Sequence, residues 1–113
     1  LEVIDQASPH ELSQAVTPEV AATLTKMMVS VVDNGSGHRA QIPGIQVAGK
    51  TGTAQWSDTQ AAHAWFISFA PADDPRVAVA VVVEGAGDKS SEVSGARIAA
   101  PIARAVMEAV VNG

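Results

Sequence analysis

The spacing of hydrophobic positions changes several times along the chain, and each change marks an element. Residues 1–16 mix Ser8, Pro9 and His10 with acidic positions and hold no period, which predicts an irregular opening segment. From there Val20, Leu24, Met27, Met28, Val31 and Val32 recur at three- and four-residue intervals, the stripe of an amphipathic helix. Thr17 offers an N-cap hydroxyl, Pro18 fits the first helical position, and Glu19 places an acid in the first turn. Asn34-Gly35 supplies a left-handed stop, so the helix is predicted over residues 18–33.

The period then shortens. Residues 35–39 read as a loop, and Pro43-Gly44 is a turn that launches residues 45–55 as an extended segment. Residues 57–62 are small and polar. Residues 63–70 alternate, with Trp65, Ile67 and Phe69 on one face and Phe66 on the other, a strand expected to be covered on both sides. Pro71 to Pro75 make a turn, and residues 76–84 run as alternating Val and Ala, again a strand expected to be buried on both sides. So short a connection makes the pair an antiparallel hairpin. After a loop over 85–91, residues 94–111 place Ile98, Ile102, Val106, Ala109 and Val110 at helical spacing. Pro101 falls inside that helix, so the helix either starts close to it or bends there. The sum is a mixed α/β fold of the α+β kind, an antiparallel sheet covered by helices, with no internal repeat.

With 113 residues, 47% of them hydrophobic, the chain can build one core and is too short to favour two. Seven Lys and Arg against twelve Asp and Glu leave a net charge of -5, which argues against a broad nucleic-acid footprint. Any anion site must be local. The absence of cysteine excludes disulfides and thiolate chemistry. The apolar run at residues 77–83 is far below the ~18 residues that span a bilayer. Leu1 is not Met and no signal peptide follows it, so the chain is expected to be a fragment or a processed product.

Against this background, Val47-Ala48-Gly49-Lys50-Thr51-Gly52-Thr53-Ala54-Gln55 is an odd strand. Lys50 and Thr51 alone would suit a solvated edge strand, where lysine guards against aggregation. Gly49 and Gly52 do not, because glycine weakens a strand and marks close approach by a ligand or another backbone. The combination predicts a strand that pairs with an anionic substrate. A flat strand sends Lys50 and Gly52 to one face and Thr51 and Thr53 to the other. Only at a sheet edge can all four border one groove, with the substrate added like another strand.

This segment resembles the third motif of the penicillin-binding protein transpeptidases, especially the monofunctional class B type; the Lys-Thr-Gly triplet also occurs in class A β-lactamases. Similar in order and spacing are the capped helix ending in Asn34-Gly35-Ser36-Gly37, the Ile42-Pro43-Gly44 turn, His63-Ala64-Trp65-Phe66, Ala70-Pro71, and the terminal helix with Ala100-Pro101. The resemblance covers about residues 17–111. Its two companion motifs are missing: no serine here has a lysine three positions on, and none has an asparagine two positions on. Val32-Asp33-Asn34 lacks the first hydroxyl and reads as a helix end. In the family both motifs precede the Lys-Thr-Gly strand, so residues 1–113 are expected to be the C-terminal portion of one transpeptidase domain whose nucleophile lies upstream.

The resemblance implies a D,D-transpeptidase working by serine acyl transfer on D-alanyl-D-alanine stem peptides of peptidoglycan, trapped by β-lactams. It implies that Lys50 keeps the site positive and meets the second-motif serine. Thr51 and Thr53 contact the substrate carboxylate, Gly52 stays bare, and the Thr53 N–H joins the oxyanion hole. Gln55 and Trp56 are expected to border the groove. The implied partners are the upstream portion of the same polypeptide, stem peptides, β-lactams and other cell-wall synthesis proteins, with no cofactor and no nucleic acid. The implied location is the outer face of the bacterial cell membrane, anchored by an upstream segment. Rival functions are a penicillin sensor or inactive homologue, a serine β-lactamase, and a structural domain. Gly85 to Ser90 hint at a phosphate loop, but Asp88 stands where glycine is needed. His38, Arg39 and His63 lack metal-ligand spacing, and Trp65, Phe66, Met27 and Met28 are expected in the core.

Overall fold

The computed structural model describes residues 2–55, 57–86 and 95–113. Residues 2–16 are exposed and irregular. Helix α1 (Pro18–Asn34) begins as expected: Thr17 is extended and its Oγ1 accepts the Val20 N–H at 3.3 Å. Its end differs from expectation. Gly35 is extended, with φ -125° and ψ -155°, not left-handed. The Val31 carbonyl instead accepts the N–H of Gly35 at 3.1 Å and of Gly37 at 2.9 Å, and a Cβ on Gly35 would sit 3.0 Å from that oxygen. Close approach, not a positive φ, requires the glycine. A positive φ does occur at Gly44, 75°, in the turn that brings Ile42 and Ile45 together.

Three antiparallel strands follow: β1 (Ala48–Ala54), β2 (His63–Ala70) and β3 (Val77–Val83), in the order β1-β2-β3. Register places Gly52, Trp65 and Val82 in one row and Thr51, Phe66 and Val81 in the next. The chain ends in a five-residue π turn, Gly95–Ala99, that leads into helix α2 (Ala100–Val111). Pro101 therefore lies in the first α-helical turn, where π geometry gives way to α, and the α-helix starts close to it.

The core gathers on the Phe66 face of the sheet, where Ala64, Phe66 and Ala70 meet Ala99, Ala100, Ala103 and Met107, with Val32 and Val47 in the same cluster. Three expectations are corrected here, for β2, for β3 and for Met27. Strand β2 is covered on one face only: Trp65 and Ile67 are 38% and 47% exposed. Strand β3 packs Val77, Val79, Val81 and Val83 on the core and leaves Ala78, Ala80 and Val82 exposed. Helix α2 turns its Ala and Met side to the sheet, and Ile102, Val106, Ala109 and Val110 face outward. Alanines let the helix backbone settle close over the Phe66 ring, whereas a stripe of branched side chains would hold it away. Met27, expected in the core, is also exposed, as are Val20 and Leu24. Among the described residues no helix is long and apolar enough to cross a membrane.

Candidate active site

Strand β1 has one neighbour, β2, so its other edge carries no strand among the described residues. That is the edge position the mixed Lys, Thr and Gly content called for. Lys50 and Gly52 project to the open face of the sheet, Thr51 and Thr53 to the covered face at its rim, where both are half-buried. Lys50 is exposed, and its Nζ donates to the Thr51 carbonyl at 2.8 Å. Thr51 Oγ1 lies 3.1 Å from Ser36 Oγ, in the turn after α1. Gln55 is exposed just past the strand, and Trp56 lies outside the described residues.

The two glycines have separate explanations. A Cβ on Gly49 would fall 2.6 Å from Phe66 Cζ, so Gly49 is bare because the core ring lies against it. It serves packing and not a substrate. Gly52 is half-buried, and its own Cβ would stand 3.2 Å from the Trp65 Cβ across the strand pair. From beneath, a Cβ on Gly95 would come 2.8 Å from the Gly52 carbonyl oxygen and 2.6 Å from that of Trp65. The start of the terminal helix thus supports the middle of β1 by backbone contact.

Two residues beside the site escaped sequence reading. Ser36 sits in a Gly-Ser-Gly turn, a hydroxyl between residues chosen for tight backbone, and that was its only signal. Gly95 opens an alanine-rich run and had none. The remaining histidines do not join the site as ligands. Among the described residues no group of three or more His, Cys, Asp or Glu could hold a metal ion. His63 Nδ1 accepts the Gly85 N–H at 3.0 Å, tying the end of β3 to the start of β2. His38 and Arg104 line a separate cleft of about 480 Å³ with Asp33, Gln41 and Ile42, to which no β1 residue contributes. The phosphate-loop reading of residues 85–90 falls largely on residues 87–94, outside the described part.

An antiparallel sheet with a lysine, hydroxyls and glycine on its edge strand, and a C-terminal helix behind it, is the architecture of the penicillin-recognising fold. The chain belongs to the penicillin-binding protein transpeptidase domain family, whose sequence model matches residues 2–108. It is 46% identical over 99% of its length to the peptidoglycan D,D-transpeptidase PbpA of Mycolicibacterium smegmatis, of which it covers 23%. It is similar to the crystal structure of PBPA from Mycobacterium tuberculosis, with a TM-score of 0.81 and 45% identity over 96% of this chain and 26% of that one. The penicillin G acyl-enzyme complex of penicillin-binding protein A from the same organism matches with a TM-score of 0.76 and 46% identity, over 96% of this chain and 24% of that one. The chain therefore spans about a quarter of the length of these relatives.

Proposed function

We propose that this chain is the C-terminal portion of a peptidoglycan D,D-transpeptidase domain and forms one wall of its acyl-transfer cleft. The observation that carries this reading is the Lys50-Thr51-Gly52-Thr53 sequence on a sheet-edge strand, in a chain so similar to a D,D-transpeptidase along nearly its whole length. An upstream serine attacks the D-alanyl-D-alanine carbonyl, the amide C–N bond breaks, and D-alanine leaves with the serine proton. An amine from a second stem peptide then displaces the serine. Lys50 raises the local positive potential and meets a hydroxyl of the upstream portion. Thr51 and Thr53 hold the terminal carboxylate, bare Gly52 leaves room for the substrate backbone, and the Thr53 N–H polarises the carbonyl. Gln55 and Trp56 border the groove. The chemistry takes place outside the cytoplasm, where peptidoglycan is, and a membrane anchor belongs to the upstream portion. β-Lactams occupy the same cleft because the relatives form acyl-enzymes with them.

Labelling the full chain with a fluorescent penicillin and then supplying a stem-peptide mimic tests this. Adduct formation with peptide turnover is the expected result. An adduct without turnover would make the protein a sensor, rapid penicillin hydrolysis a β-lactamase, and no adduct at all a structural domain. Thr53→Pro should abolish labelling, since loss of one oxyanion donor costs about 2.7–4 kcal/mol of barrier. Normal labelling of that variant would remove Thr53 from the role.

A further inference from the structure

Ser36 stands beside the edge strand on a backbone that has little freedom. The Gly35 and Gly37 N–H groups converge on the Val31 carbonyl at 3.1 and 2.9 Å, and Gly37 is buried so tightly that a Cβ would lie 3.2 Å from both Val31 Cγ1 and the Val31 oxygen. From this turn Ser36 reaches across fifteen positions of sequence to put its Oγ 3.1 Å from Thr51 Oγ1.

The pair has a proton balance. A threonine hydroxyl owns one proton and two acceptor lone pairs, and a carboxylate can only accept. If Thr51 gives its proton to Ser36, it meets a carboxylate with lone pairs alone, which is repulsive. If Ser36 gives its proton to Thr51, the Thr51 O–H turns outward and is polarised by the bond behind it. We propose that Ser36 is a positioning residue for carboxylate recognition: its O–H donates to Thr51 Oγ1 and so commits the Thr51 proton to the substrate's terminal carboxylate. This rests on the reading of Thr51 as a carboxylate contact. Ser36 sets the preference for a free acid over a neutral analogue and takes no part in the bond-making steps.

The test compares second-order acylation of the full chain by a penicillin and by the methyl ester of that penicillin. The unaltered protein should prefer the acid. Ser36→Ala should lower acylation by the acid about tenfold and change the ester less than about twofold, in line with loss of a hydrogen bond that serves a charged group. Ser36→Thr, which keeps a hydroxyl, should restore the preference. In a Thr51→Val background, Ser36→Ala should cause no further loss, because one residue acts through the other. An equal fall for acid and ester would overturn the proposal in favour of a structural role, and so would an additive loss in the Thr51→Val background or no effect at all. If the unaltered protein is acylated without preferring the acid, the carboxylate role of Thr51 fails and the inference with it. If it is not acylated by either compound, the transpeptidase reading itself falls.

Discussion

Lys50 folds back along its own strand, and its ammonium rests on the Thr51 carbonyl while remaining in contact with water. A cation resting at the surface on a carbonyl of its own strand can change partner at little cost, which suits the electrostatic role proposed for it. Lys50→Ala should therefore reduce penicillin acylation of the full chain by about 10²–10³, as removal of a preorganised electrostatic donor does elsewhere. Its unfolding free energy should move by less than about 0.5 kcal/mol, since the side chain is at the surface. Equal acylation would return Lys50 to the role of an edge guard. Gly49, one position earlier, makes the opposite prediction. Gly49→Ala drives a methyl into the Phe66 ring and should cost about 1–3 kcal/mol in chemical denaturation. Adding Phe66→Leu should give a double variant less destabilised than the sum of the two single changes. Strict additivity would show that the ring does not hold the glycine.

At the scale of elements, the junction between the π turn and the sheet is a close backbone fit. Gly95→Ala would place its Cβ within 2.6 Å of the Trp65 carbonyl oxygen, an atom fixed in the sheet, so the helix start must move off β1 and β2. A loss of about 1–3 kcal/mol with weaker acylation is expected; unchanged stability would mean the helix start relaxes freely. Much of this layout was legible in the sequence because its punctuation is strong. Thr17-Pro18, Pro43-Gly44 and the Pro71–Pro75 stretch each have one reading, and the helix and strands fall between them. The edge strand was legible because lysine and glycine contradict an otherwise apolar run. The buried face of α2 was not. That helix is apolar nearly all round, so the 3.6-residue period names two usable faces, and only the closeness of alanine backbone to the sheet chooses between them. The partnership of Ser36 with Thr51 was equally hidden, since no local pattern links residues on two different elements. Gly49 and Gly52 looked alike for a related reason: composition shows that something approaches closely, not whether it is a core ring or a substrate.

Taken whole, the molecule carries apolar surface on three sides: Val20, Leu24 and Met27 on α1, Trp65, Ile67 and Val82 on the open face of the sheet, and Ile102, Val106 and Val110 on α2. On the reading of this chain as one part of a longer domain, these side chains pack against its upstream portion. The 113 residues on their own should bind a hydrophobic dye such as ANS strongly and self-associate in sedimentation, whereas a protein that also carries the upstream portion proposed above should do neither. Monomeric, dye-silent behaviour of the 113 residues would mean that these side chains are tolerated in water. One carbonyl ties these scales together. The Val31 oxygen, by receiving two N–H groups, fastens the last turn of α1 to the Gly-Ser-Gly turn and, through Ser36, to the edge strand. If Thr51 holds the substrate carboxylate as proposed, penicillin acylation should respond to changes at positions 31–37 as well as in the groove. Loosening that knot would then retune penicillin acylation with the Lys50-Thr51-Gly52-Thr53 sequence left as it was.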